Sequence, residues 1–131
     1  MLEFLFNLII LLGAGILIGH ERQKTHGIVG VRSVTLIMLG AFIFSTISTR
    51  IGGDPSRVVA QVVSGVGFIG AGLMFKKDSD KIANITTAIL MWCVASLGCL
   101  IGLGFTLEGV IMTVIIYLVL KYYKNLFKDG N

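Results

Sequence analysis

Charge is scarce in this sequence. Only 14% of its 131 residues are Asp, Glu, Lys or Arg, against 55% hydrophobic residues and a mean hydropathy of +0.91. A soluble domain of this size carries about 25% charged residues, because its surface faces water. The polar residues here are too few to coat a globule, so the solvent implied is lipid. The longest polar stretches are 11 to 13 residues. That is too short to bury a core, so no separate soluble domain is expected. Nor does a basic stretch precede the first apolar run, which opens Met1-Leu2-Glu3. The layout of a cleaved signal peptide is missing, and the first span is expected to remain in the mature protein. The two cysteines, Cys93 and Cys99, lie in one apolar segment at no metal-ligand spacing and read as small packing residues. No nucleophile–base pair, metal cluster or phosphate loop stands out, so neither an enzyme nor a cofactor is expected.

What is present is a series of apolar runs of membrane length. A hydrocarbon core about 30 Å thick calls for roughly 20 residues per helix. The pattern predicts an all-α integral membrane protein with five transmembrane helices at about residues 4–19, 33–51, 55–75, 83–103 and 106–122, forming one domain. The third start has a mechanism: Asp54 caps free N–H groups, and Pro55, the one proline, suits the first turn.

The net charge of +4 invites a nucleic-acid reading. The basic residues, however, sit between and after the apolar runs, which fits membrane topology, and no nucleic-acid partner is expected. With five spans, one set of loops holds Arg22, Lys24, Arg32, Lys76, Lys77, Lys81, Lys121, Lys124 and Lys128, and the opposite set only Arg50 and Arg57. The positive-inside rule then places the N-terminus outside and the C-terminus in the cytoplasm.

Helices in lipid associate through close packing and a few polar contacts. Gly15 and Gly19 are four apart, as are Gly98 and Gly102, and each pair smooths one helix face. The third span holds Gly65, Gly67, Gly70 and Gly72 and is expected at the bundle centre. Its Gly65-Val-Gly-Phe-Ile-Gly formally matches a dinucleotide fingerprint, but that fingerprint needs a preceding strand and a soluble βαβ unit. A homo-oligomer, with a dimer favoured, follows from the small-residue faces. Trp92, near the middle of the fourth span, is expected to pack inside the bundle.

Two polar groups need a reason, since ionisable residues in a membrane are costly unless paired or wetted. Asp54, Arg57, Gln61 and Ser64 share an arc of about 80° on an ideal helix, and Asp54 is placed to pair with Arg57. Two readings stand: a functional polar stripe, or a capped helix whose Arg57 snorkels while Gln61 bonds a neighbour. The second group, toward the cytoplasm, is Glu21, Arg22, Arg32, Asn84, Thr86 and Thr87. Asn84 is expected to cap the fourth helix and the threonines to bond within their own turn, while Glu21 with Arg22 or Arg32 would pin two helix ends. His20, Glu21 and His26 match no metal-ligand motif and read as a solvated loop.

At these residues the sequence resembles the MgtC/SapB family of bacterial inner-membrane proteins. The resemblance runs from about Leu12 to Phe105. Its pieces are Gly19-His-Glu-Arg22, Gly30-Val-Arg-Ser-Val34, the long block from Asp54 to Gly72, Asn84-Ile-Thr-Thr-Ala88 and Trp92. It implies a five-helix domain of the bacterial cytoplasmic membrane, associated with growth at low magnesium and, in some pathogens, with survival inside macrophages. It further implies action on other membrane proteins, the F-type ATP synthase among them. The family's polar motif residues fall on Glu21, Arg22, Arg32, Asp54, Arg57, Gln61, Thr86 and Thr87. Many relatives carry a C-terminal ACT-like domain, whereas this sequence stops with a short basic tail. Any ligand sensing by that domain is expected to be missing or supplied by another chain. Further departures are Asn84-Ile-Thr-Thr-Ala-Ile before the fourth helix and Val31-Arg32-Ser33, where the family has Gly-Leu-Thr-Thr-Ala-Ala and Leu-Arg-Thr. The alternative function is an oligomeric ion transporter or channel whose path is the Asp54–Ser64 stripe.

Overall fold

The computed structural model describes residues 1–25, 29–76 and 82–126. His26, Lys77, Lys81 and Lys128 lie outside the described residues. Five helices account for most of the chain: α1 (Leu2–Thr25), α2 (Val31–Arg50), α3 (Pro55–Leu73), α4 (Ile85–Gly102) and α5 (Thr106–Leu126). A two-residue antiparallel ladder, β1 (Phe75–Lys76) with β2 (Ile82–Ala83), lies between α3 and α4. Four helices, α1 to Lys24 and all of α2, α3 and α4, are long and apolar enough to cross a membrane. α5, 21 residues long, lies beside α1 and α4.

The helix ends depart from the apolar runs for a simple reason. α1 continues six residues beyond Gly19, to Thr25. Glu, Arg, Gln and Lys are good helix formers, and Arg22 and Lys24 in the last turn complement the helix dipole. Hydropathy marks the length a membrane can cover, whereas the helix stops where its backbone is interrupted. α2 ends at Arg50 ahead of Gly52, which takes φ +71. That left-handed conformation closes a helix readily only at glycine. Two residues on, Asp54 caps α3: its Oδ1 accepts from the Ser56 N–H at 3.0 Å, with Pro55 in the first turn. α3 stops at Leu73, short of the expected residue 75, because Met74 turns to extended backbone and feeds β1.

Contacts between helices give an up-and-down order. Gly15 and Gly19 of α1 lie against Thr35 and Val31 of α2, so these two run antiparallel. Gly98 and Gly102 of α4 lie against Met38 and Phe42, so α4 runs parallel to α2. Gly70 of α3 faces Ala88, and Gly109 of α5 meets Ile101, so both flank α4 in the opposite sense. The start of α5 returns to the start of α1, where Thr106 Oγ1 donates to Asn7 Oδ1 at 2.8 Å. Asn7 is buried, the one amide in an otherwise apolar run. Thr106→Val is expected to cost about 0.6 kcal/mol, the average for such bonds in a membrane, measured by detergent-induced unfolding.

The bundle centre is α4, not α3, which corrects the expectation drawn from glycine density. α4 buries Thr87, Leu90, Met91, Val94, Leu97 and Ile101 among others, as an all-round apolar helix should. α3 buries only Val66 and Gly70. Glycines permit close approach but do not direct it. Around Gly65, Gly67 and Gly72 nothing lies within 4 Å of where a Cβ would be. Trp92 is likewise outside the core, 52% exposed on a stripe with Ile85, Ile89 and Ser96. That stripe is the side of α4 left over once the small residues take the seam with α2. In lipid an outward indole carries no aqueous penalty.

Candidate functional site

The polar residues collect at opposite ends of the bundle. At the α2–α3 turn, Asp54 is fully exposed and committed to Ser56. Bonds from the Ser56 hydroxyl and then its backbone N–H hold the Asp54 carboxyl below the usual carboxylate range. With a lowered folded-state value, the cap's contribution is present above the ordinary carboxylate range and is lost as pH falls through the lowered value. Asp54 and Arg57 form no ion pair in the described residues, which corrects that expectation; the short link is backbone, Arg57 N–H to Asp54 C=O at 3.2 Å. A carboxylate already turned back to cap its own helix is unavailable to the next turn.

Arg57 and Gln61, one turn apart and both exposed, border a groove of about 750 Å³ between α2 and α3. Ser64 is exposed and does not line it. α3 rests on α4 at Gly70–Ala88, and the groove separates it from α2 between Arg57 and Ile69. The stripe from Asp54 to Ser64 thus faces outward, and the protomer encloses no polar path along it within the described residues.

At the other end, Arg22 on α1 is 5% exposed, and its Nη2 donates to Thr87 Oγ1 on α4. This joins two members of the cytoplasmic group and pins α1 to α4. Thr87 therefore accepts from another helix rather than serving only its own turn. Arg22 Nε has no hydrogen-bond partner among the described residues. Asn84 stands at the N-cap position of α4 but does not cap it. Its backbone is left-handed, φ 63, and its side-chain N–H donates 3.2 Å to the Leu73 carbonyl at the end of α3. Asparagine suits both demands: it tolerates that φ, and it carries a donor for an orphan helix-end carbonyl. Arg32 and Thr86 are exposed and Glu21 is half-buried.

The glycine strips are used inside the protomer. A Cβ on Gly102 would stand 2.7 Å from the Phe42 carbonyl oxygen, and one on Gly19 would stand 2.5 Å from the Val31 Cα. Gly15/Gly19 and Gly98/Gly102 therefore hold α2 between α1 and α4 and leave no lipid-facing surface there. This corrects their reading as partner-facing strips. On α3 a stripe of small residues remains uncovered: Ala60, Ser64, Gly67 and Ala71, all exposed at i, i+4, i+7 and i+11.

The sequence profile of the MgtC family matches residues 8–128. The chain is 43% identical over 104 residues to Protein MgtC of Brucella abortus, covering 78% of this chain and 43% of that relative. It is 37% identical over 117 residues to Protein MgtC of Salmonella typhimurium, covering 88% and 50% respectively. An uncharacterized protein of Haemophilus influenzae is 36% identical over 113 residues, covering 78% of this chain and 48% of the relative. The chain thus spans about half the length of these relatives. No solved structure matches it.

Proposed function

The chain belongs to the MgtC family, and from that premise we propose that it is a non-enzymatic protein of the bacterial cytoplasmic membrane, linked to magnesium and proton homeostasis, that acts by modulating partner membrane proteins. The observation that supports this reading is the uncovered stripe Ala60–Ser64–Gly67–Ala71 on α3. Small residues at this spacing let a second backbone approach closely, which is how helices associate in lipid. The stripe is free because the protomer's other small-residue strips are spent on α2. It serves equally for a second copy, so a homodimer and a heteromeric complex compete for one face. The F-type ATP synthase is a partner to test. The same proposal puts the Arg22–Thr87 end in the cytoplasm and the α2–α3 turn outside.

Gly67→Leu is the decisive variant, since nothing lies within 4 Å of a Cβ there and the fold has room for it. It should remain folded yet lose the partners that wild-type protein carries through purification in mild detergent. Wild-type protein that recovers only itself, repeatedly, would count heavily against modulation. Transport is the competing activity, and it requires an oligomer because the polar stripe faces outward. We expect no flux of magnesium or protons through the purified chain in sealed liposomes. Asp54→Asn is a clean control, because asparagine keeps the capping oxygen while removing the charge. Wild-type flux that disappears in folded Asp54→Asn would replace modulation with transport.

A further inference from the structure

The groove between α2 and α3 borders the small-residue stripe, since its rim residues Arg57 and Gln61 share an arc of α3 with Ser64, while its apolar wall turns away toward α2. Its walls are Leu36, Gly40 and Phe44 on α2 and Val58, Val62 and Ile69 on α3, apolar throughout. Its rim at the α2–α3 turn is polar: Arg57, with Gln61 one turn deeper. The Arg57 guanidinium is exposed and has no side-chain partner among the described residues. The neighbouring charges are committed elsewhere. Asp54 caps α3 through Ser56, and Arg50 lies over the Phe4 ring at 5.4 Å.

We propose that this groove is a phospholipid site, with one acyl chain lying between α2 and α3 and the lipid phosphate on Arg57 and Gln61. Three features select that occupant. From Arg57 to Ile69 the groove runs about 18 Å along α3, close to the ~15 Å depth of one leaflet. A helix from a partner would want a seam across the whole bilayer, whereas the groove's lining stops at Leu36 on α2 and Ile69 on α3. A cation stands at the headgroup end of the groove, and guanidinium binds phosphate through paired, charge-assisted hydrogen bonds. Gln61 adds an amide donor one turn nearer the chains. The site goes beyond the partner-modulation reading and does not depend on it, since none of the stripe residues Ala60, Ser64, Gly67 and Ala71 lines the groove.

The test is native mass spectrometry of the full chain, released from micelles containing either phosphatidylglycerol or diacylglycerol with the same two chains. These lipids differ only in the phosphate-bearing headgroup. Wild type should retain one phosphatidylglycerol per protomer, at roughly tenfold higher occupancy than diacylglycerol, the discrimination expected of a hydrogen bond to a charged group. Arg57→Gln should bring the two lipids to near parity. Gly65→Leu and Gly40→Leu, one on each wall and each with nothing within 4 Å of its Cβ, should fill the groove and lower both occupancies several-fold. Two groove variants guard against one of them misfolding. Equal retention of the two lipids by wild type would overturn the site, as would undiminished phosphatidylglycerol in both folded groove variants. So would a lipid-free dimer that both variants dissociate, since the occupant would then be a second copy.

Discussion

Gly98→Ala is expected to destabilise the protein by about 3 kcal/mol, the upper end of what overpacking costs. The added methyl has nowhere to go. It would meet the Met38 carbonyl oxygen closer than any real contact, with the Ala41 Cβ at 2.8 Å. Backbone cannot yield as a long side chain can, so α2 and α4 must move apart. The seam they share includes Met38, Phe42, Met91, Val94 and Leu97, so the loss extends to the whole core. Gly102→Ala should behave similarly, and it would also disturb the Thr46 hydroxyl bond to the Gly102 carbonyl, 3.3 Å. The contrast is Gly72→Ala on α3, where nothing lies within 4 Å. That change should be neutral, or stabilise by up to about 0.5–1 kcal/mol through helix propensity. Unfolding of each variant by SDS titration, followed by circular dichroism, separates them. Equal midpoints for Gly98→Ala and Gly72→Ala would mean that α2 and α4 do not pack as described.

The second large effect should come from Thr87→Val, about 2 kcal/mol in the same assay. Valine keeps the shape and removes the acceptor, so the Arg22 guanidinium loses its bond to α4 while staying buried. Hydrogen bonds to charged groups contribute about 1.5–3 kcal/mol, and the cost is highest when the charged partner has no route to water. In an Arg22→Met background there is no buried cation to abandon, and Thr87→Val should then cost less than about 0.5 kcal/mol. The difference is the coupling between the two helices. Equal costs in the two backgrounds would show that Thr87 serves only its own turn.

How far the sequence reached differs from residue to residue. The Asp54-Pro55 start of α3 was legible because a cap and its first turn are a local matter. Gly15/Gly19 and Gly98/Gly102 were legible as packing strips, but which helix they pack against was not. Sequence spacing places residues on one face without naming the neighbour. The dense glycines of α3 pointed to the bundle centre and were misleading, since open space around Gly65, Gly67 and Gly72 is compatible with the same letters. Asn84 looked like a cap because asparagine at a helix start usually is one. Its left-handed backbone instead sends the amide to the Leu73 carbonyl, a decision made by the β1–β2 connection. Asn7 carried the signal that would have revealed it: one amide in an otherwise apolar run, which needs a partner in lipid.

Composition and hydropathy by themselves determined that this is a helical membrane protein and where its apolar spans run. Those properties follow from backbone hydrogen bonding and solvation, which act on each segment separately. The order of packing belongs to the tertiary structure alone. It put α4 at the centre, spent two glycine strips on α2, brought Arg22 to Thr87, and left α3 with an uncovered stripe and a groove beside it. Between apolar helices in lipid there is no hydrophobic gradient to choose neighbours. The choice falls to steric fit and a handful of polar contacts between residues as many as 99 positions apart, as Asn7 and Thr106 are.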